Sequence, residues 1–296
     1  VPQLAAAPGG RGDVRRQGDR PQPHRRRRRA GAPPRLSATP PITPQKTPHG
    51  TPHVSPHGTP QISVIIPTLN EAGWLTAAVV SAGAGAAEIV VSDSGSTDAT
   101  PDLARRLAGA GWALKFLPAP AGGLPHRAAA CNRGAEAARG DVLLFLDADC
   151  RLPTGWAAGV RRALADPGVV GGGFHLHLDG PEPALRRVEW INRQRYRRSH
   201  LFFGDQGVFV RTAAFDAAGG FPEIPVLESA RLCKALKRHG RLALLAGSVS
   251  ASPRRFRDGG IGRVFRADFR IWLRGLLRLG PGPAGRDYWQ ENRSRG

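Results

Sequence analysis

The sequence predicts an α/β protein with a largely parallel sheet flanked by helices. Three observations carry that prediction. β-Branched, apolar runs alternate with stretches whose apolar residues recur at helical spacing, the order of successive strand-helix-strand units with right-handed crossovers. Three of the runs end in polar clusters, Pro67 to Glu71, Asp93 to Asp98 and Asp147 to Asp149, and such crossovers gather the carboxyl ends of parallel strands at one rim. One run, Val142 to Leu146, is apolar throughout and stops abruptly at two carboxylates, as expected of a buried strand opening onto a ligand site.

Residues 1 to 60 come first and are expected to be disordered. They hold the run Arg25 to Arg29, many prolines and the near-repeat Thr47-Pro48-His49-Gly50, Thr51-Pro52-His53-Val54, Ser55-Pro56-His57-Gly58, with too few apolar residues to bury a core. The pattern then changes. Ile62-Ser63-Val64-Ile65-Ile66 is a buried first strand ending in the turn-formers Pro67 to Glu71. Trp74, Leu75, Ala78 and Val79 recur at helical spacing before Gly83 and Gly85. Glu88 to Val91 restarts a strand that runs into Ser92 to Asp98, and Asp98 is placed to cap a helix from Thr100 to about Leu107. Leu114 to Leu117 is a short third strand, Arg127 to Ala138 a helix stopped by Gly140, and Val142 to Leu146 the strand that carries the aspartates. The folded domain is therefore set at residues 61–253, followed by a basic helical segment at 254–296.

Of the formal net charge of +20, the arm contributes +9, from eleven Arg or Lys against two Asp. Such an arm could hold an acidic membrane or nucleic acid by counterion release, or stay solvated without a partner; nucleic acid is not the expected partner. The chain has no Met and begins at Val1, as expected of a fragment or an alternative start, so part of the arm need not belong to the cellular protein. No apolar run approaches the roughly 18 to 20 residues that span a bilayer, and the first residues lack the apolar core of a signal peptide, so a cytoplasmic protein is expected. Cys131, Cys150 and Cys233 are far apart without metal-site spacing and are expected to be reduced and structural.

Asp147 and Asp149 are two apart, so extended backbone points them to one side, where they can approach one hard cation together. An isolated pair of this kind also starts ordinary turns. Neither G-x-G-x-x-G nor G-x-x-x-x-G-K-[ST] follows any of the strands, so a dinucleotide site or a P-loop has no support, and a divalent metal becomes the natural partner for phosphate charge.

Taken in order, Ser63-Val64-Ile65-Ile66-Pro67-Thr68-Leu69-Asn70-Glu71, Asp93-Ser94-Gly95-Ser96-Thr97-Asp98, Gly140-Asp141 leading into Asp147-Ala148-Asp149, Gly204-Asp205-Gln206 and Gly219-Gly220-Phe221-Pro222 resemble the family 2 glycosyltransferases, enzymes of the GT-A fold, over roughly residues 62 to 245. Within that family the chain is most similar to the subgroup associated with arsenosugar biosynthesis, which has a similar G-D-Q segment and a similar G-G-F-P-x-I-P approach to its acidic motif. The resemblance implies an inverting transfer of a sugar from a nucleotide-sugar donor to a hydroxyl acceptor. It implies that Pro67, Thr68 and Glu71 line the nucleoside pocket, that Asp93 accepts a hydrogen bond from the base, and that Arg127 sits near the diphosphate. Asp147, with Asp149, would hold Mg or Mn against that diphosphate, where a cation neutralises the charge that develops as the nucleoside diphosphate leaves. Each residue also has an ordinary use: Pro67 and Asn70 in turns, Asp93 and Asp98 as caps, Arg127 as surface charge.

One departure stands out. The family usually carries a Glu-Asp pair after the G-G-F segment, its Asp the general base for the acceptor hydroxyl. Here Glu228 is followed by Ser229, with Arg231 where another acid is frequent. Serine is no base at neutral pH, and losing a general base typically costs roughly a hundredfold to ten-thousandfold in rate. The chain is then slow, or uses Glu228 or Asp205 as the catalytic base, or is a degenerate sugar-nucleotide binder. Asp205 could equally orient the acceptor, and Glu228 could simply favour a helix start.

From Ile261 to Leu279, apolar Ile261, Phe265, Phe269, Trp272, Leu276 and Leu279 oppose Arg263, Arg266, Arg270, Arg274 and Arg278. That pattern suits a helix lying on an anionic membrane through residues 254–280, making the protein peripheral, or one docked on the catalytic domain with its arginines in water. Trp190, Arg193, Arg195, Tyr196, Arg197 and Arg198 form a second basic, aromatic stretch, suited to an acidic acceptor or to packing. A membrane- or nucleic-acid-binding protein acting through its basic segments is the third functional reading.

Overall fold

The computed structural model describes residues 58–122 and 126–276; the arm up to residue 57, with its Arg25 to Arg29 run, and residues 277–296 lie outside the described residues. β1 (Ile62–Thr68) is buried at every position, because it lies in the middle of the sheet with helices on both faces. It pairs in parallel with β2 (Glu88–Asp93) and β4 (Val142–Phe145), and β2 pairs in parallel with β3 (Leu114–Leu117). The connecting helices are α1 (Leu75–Gly83), α2 (Thr100–Gly109) and α3 (Arg127–Ala137), as the alternation of the sequence requires.

After β4 the chain runs through β5 (Cys150–Arg151), α4 (Trp156–Leu164), β6 (Val169–Leu178), α5 (Pro183–Ser199), one turn of 3-10 helix at Gly204–Gln206, β7 (Val208–Arg211), α6 (Thr212–Ala217), α7 (Glu228–Leu236), β8 (Arg241–Ala251), α8 (Arg254–Gly259) and α9 (Ile261–Leu276). The eight strands follow the order β3-β2-β1-β4-β7-β6-β8-β5. β7 is antiparallel to both β4 and β6, and β5 is antiparallel to β8, so the sheet is mixed with four parallel pairings.

The period of two along β1 divides its side chains between two cores. Ile62, Val64 and Ile66 join Leu75, Ala78 and Val79 of α1 and Val160 and Leu164 of α4. Ile65, with Leu143 and Phe145 of β4, meets Ala128 and Cys131 of α3 and Leu232 and Leu236 of α7. Burying one such large side chain is worth roughly 1.5 to 3 kcal/mol, which is why a one-residue slip of β1 is not tolerated. Cys131, Cys150 and Cys233 are buried and free, each a small apolar side chain in use.

The sequence pattern assigned nothing to residues 169–178, which hold Gly171, Gly172 and Gly173. They form buried β6, because neighbouring groups approach its backbone closely. A Cβ on Gly171 would meet the Phe209 carbonyl, one on Gly172 the Ala243 carbonyl, and one on Gly173 the Phe202 ring.

The C-terminal helix departs in part from the expected apolar face. Val264 and Ile271 are buried and Ile261 and Phe265 pack on the core, whereas Phe269 is 50% exposed. Asp268 sits within the inward stripe and takes both guanidinium nitrogens of Arg255, at 2.6 and 3.1 Å. The helix is thus turned so that Phe269 falls on its flank. The side chains of Trp272 and Leu276, and residues Arg278 and Leu279, lie outside what is described. Among the described residues no helix is long and apolar enough to cross a membrane.

Candidate functional site

The rim where β1, β2 and β4 end opens into a cleft of about 510 Å³, lined among others by Pro67, Thr68, Asn70, Glu71, Ser94, Arg127, Asp147, Asp149, Asp205, Glu228, Ser229 and Arg254. All the expected site residues except Asp93 reach this one cleft.

Two turns build its first wall. Asn70 adopts a left-handed conformation (φ 57°), which Asn tolerates, and its Oδ1 accepts the Thr97 amide at 2.8 Å while its own amide donates to Ser96 Oγ at 2.9 Å. Glu71 donates its amide to Thr100 Oγ1 at 2.7 Å. Asp98 accepts the Thr100 amide at 2.9 Å and the Ala72 amide at 3.2 Å, so it binds the two turns together; the residue at the cap of α2 is Ala99, which makes no side-chain cap bond. Asp93 does not face the cleft. Its Oδ1 accepts Thr68 Oγ1 and Ser96 Oγ at 3.0 and 2.5 Å, and its Oδ2 accepts the Gly95 and Ser96 amides at 2.9 Å each. A carboxylate has about four acceptor positions, and these are taken by the turn, so in this arrangement Asp93 shapes it. Ser94 is the member of that turn that reaches the cleft.

Arg127, at the start of α3, organises the floor. Its Nε and Nη2 donate to Asp147 Oδ1 at 2.8 and 2.6 Å, and its Nη1 donates to Glu228 Oε1 at 2.9 Å and Ser229 Oγ at 3.2 Å. This is no surface charge: the side chain is 10% exposed. Burial works against its charge, but Asp147 and Glu228 more than offset that and hold it firmly protonated. Glu228 opens α7 after Leu227, whose φ of 67° is unusual for a bulky residue.

The Gly204-Asp205-Gln206 segment is shaped by close packing. A Cβ on Gly204 would collide with the Arg127 guanidinium and Asp147 Oδ2, so only glycine lets this turn press on the ion pair. Gln206 anchors the turn, accepting the Phe203 amide at 3.1 Å and donating to the Phe174 carbonyl at 3.1 Å. Between them Asp205 enters the cleft. Burial pushes its carboxyl up to about 6, with Asp147 adding to the rise and Arg195 opposing it. The Gly219-Gly220-Phe221 segment is similar in kind. Two left-handed glycines (φ 82° and 72°) turn the chain, Asn132 clamps the Phe221 backbone with two bonds of 2.9 Å, and the Phe221 ring meets Phe145 edge-on at 4.7 Å.

Arg254 was not expected in the site. It follows the last strand, and in sequence it reads only as part of the basic segment. Its Nη2 donates to Glu71 Oε1 and lies 3.5 Å from Asp149 Oδ2. Burial raises the Asp149 carboxyl, against the pull of Arg254, and raises Glu71 to about 7. Glu71 Oε2 is buried without a hydrogen-bond partner.

No group of three or more His, Cys, Asp or Glu among the described residues is arranged to hold a metal by itself. The donor set nevertheless fits a divalent cation of the kind that keeps one or two carboxylates and takes its other ligands from phosphate. Asp147 and Asp149 supply two carboxylates on one turn, in a cleft where Asp205 and Glu71 add two more, both raised chiefly by burial.

Known structures share the fold. A mannosyltransferase from Pyrobaculum calidifontis, PcManGT, solved in complex with GDP-Man and Mn2+, superposes with a TM-score of 0.57 at 25% identity, covering 78% of this chain and 68% of that one. S. aureus TarS gives a TM-score of 0.51 at 18% identity over 67% of this chain and 38% of its own, and GalNAc-T7, solved with UDP, GalNAc and Mn2+, 0.52 at 16% over 66% and 44%. The last two show the fold alone, and the chain spans well under two thirds of their lengths. No curated protein matched the chain. Residues 63–217, more than half of the chain, match the model of glycosyl transferase family 2, and with the GT-A sheet and the gathered cleft in place the chain belongs to that family.

Proposed function

We infer that the protein transfers a sugar from a nucleoside-diphosphate sugar to a hydroxyl acceptor by a single inverting displacement, with Mg or Mn on the diphosphate. The observation that carries this reading is the convergence of Asp147, Asp149, Arg127 and Asp205 on one cleft at the carboxyl rim of the sheet. Pro67, Thr68 and Ser94 would line the nucleoside end and Asp147 and Asp149 would hold the metal, which when bound supplies Lewis-acid stabilisation of the departing diphosphate. The Pyrobaculum calidifontis enzyme, solved with GDP-Man and Mn2+, supports a nucleotide-sugar donor and a divalent metal. Asp205 is the base we favour over Glu228. A carboxylate near 6 is ionised at pH 7 yet basic enough to take a hydroxyl proton, whereas Glu228 is held by Arg127. The G-D-Q and G-G-F-P segments support the arsenosugar-associated subgroup, and the arginines of α5 and α9 support an anionic surface or acceptor, with the protein peripheral at the inner face of a membrane.

A calorimetric screen of UDP and GDP with and without Mn, on the wild type and Asp149→Ala, followed by transfer assays, tests the reading. Binding is expected to need the metal and to be lost in Asp149→Ala; equal affinity in the variant or in excess chelator sinks the metal assignment. Asp205→Asn is expected to reduce turnover at least a hundredfold with donor affinity kept.

The binding-only reading is favoured by Ser229, which is buried and accepts from Arg127 where the family places its base. If that reading holds, the donor binds, no acceptor is glycosylated, and Ser229→Asp restores turnover.

A further inference from the structure

Arg254 lies outside the residues matched by the family model, yet the sheet fixes it beside Asp149. β8 pairs with β5 immediately after them, Cys150 opposite Ala251 and Arg151 opposite Ser250, and the Ser252 amide donates to the Asp149 carbonyl at 3.1 Å. The chain then delivers Arg254 as the first residue of α8, its guanidinium carbon 5.7 Å from the centroid of the Trp74 ring. At 3.5 Å its approach to Asp149 is longer than the roughly 2.7 to 2.9 Å of a formed charge-assisted bond, so Asp149 is only loosely engaged. Its bond to Glu71 leaves the second oxygen of that carboxylate without a partner.

We propose that Arg254 is a diphosphate-binding residue, which passes from Glu71 and Asp149 to the diphosphate when the donor enters. The inference rests on the nucleotide-sugar reading above. A divalent cation on Asp149 repels the guanidinium and weakens an approach that is already 3.5 Å long, unlike the two short bonds that hold Arg127 to Asp147. The anion then within reach is the diphosphate, which the planar fork of an arginine fits with two parallel bonds. The side chain is 37% exposed, so solvent borders the cleft side of the guanidinium, while its backbone follows directly from β8. Without nucleotide, Arg254 offsets the acidic floor; as the sugar leaves, it stabilises the charge developing on the leaving group.

The test is calorimetry with UDP and GDP in Mn, against uridine and guanosine, on the wild type, Arg254→Gln and Arg254→Lys. For the nucleotide that the wild type binds, Arg254→Gln is expected to weaken the diphosphate at least tenfold while leaving the nucleoside unchanged, and Arg254→Lys to recover part of the loss. An unchanged diphosphate affinity, or an equal loss for nucleoside and diphosphate, overturns the assignment. If Arg254→Gln does not fold, a crystal structure of the wild type with the bound nucleotide and Mn decides: a guanidinium on a phosphate oxygen supports the proposal, and one still on Glu71 ends it. A wild type that binds neither nucleotide overturns the glycosyl-transfer reading, and this inference with it.

Discussion

Arg127 joins Asp147 to Glu228 through a guanidinium that is almost buried, and the three side chains depend on one another. Deleting the cation leaves two largely buried carboxylates uncompensated, so Arg127→Leu is expected to cost about 3 kcal/mol in urea denaturation. A loss below about 1 kcal/mol would mean that water reaches the pair and screens it. Glu71 and Asp205 make the second prediction at this scale. Burial, the largest cause for both, lifts them to about 7 and about 6 from ordinary values of 4.5 and 3.8. Between about pH 4 and 7 the folded chain therefore holds protons that the unfolded chain has released, and stability falls as pH rises through that window. His175, lowered by burial, contributes the opposite slope near its ordinary value of 6.5. In divalent-free buffer, Glu71→Gln and Asp205→Asn should each flatten the fall relative to wild type; parallel curves would contradict the shifts. Sequence offered the carboxylates by motif but not the partner of any of them. Arg127 and Glu228 are about a hundred residues apart, and only α3 and α7 packing on one sheet face joins them.

Elements differ in how openly they announce themselves. β1, β2 and β4 were legible because each is buried on both faces and reads as a continuous apolar run. β6 was not, because the crowding of Phe209, Ala243 and Phe202 selects glycines there, and glycine in sequence signals a turn. The same crowding makes a prediction. In Gly172→Ala the new methyl meets a backbone carbonyl that cannot rotate away, so the variant should lose roughly 1 to 3 kcal/mol, read as a lower urea midpoint at unchanged slope. At Gly262, where no atom lies near the added carbon, Gly262→Ala in α9 should be neutral or stabilising. The face of α9 was half legible: the period of the apolar residues located the helix, but its rotation was set by Asp268 meeting Arg255 of α8, a pairing that a moment of hydrophobicity ignores.

For the whole molecule, both cores and the cleft are built from residues between Ile62 and Ile271, while the arm carries +9 of the net charge. Removing residues 1 to 57 should leave the thermal transition and nucleotide affinity in place; a large drop in either would show that the arm belongs to the fold. The sequence by itself determined the class of fold, the strands that face no solvent, and the family, because burial and turn chemistry act over a few residues and leave local patterns. It also determined that the polar strand ends meet, since right-handed crossovers allow parallel strands no other arrangement. Only the tertiary structure decided what those ends hold. It turned Asp93 inward to bind its own loop, set Gly204 against the Arg127 and Asp147 pair, and brought Arg254 from the far end of the sheet onto Glu71 and Asp149. These are contacts between residues far apart in the chain, fixed by strand pairing and by how closely backbones approach, and no spacing along the sequence encodes them.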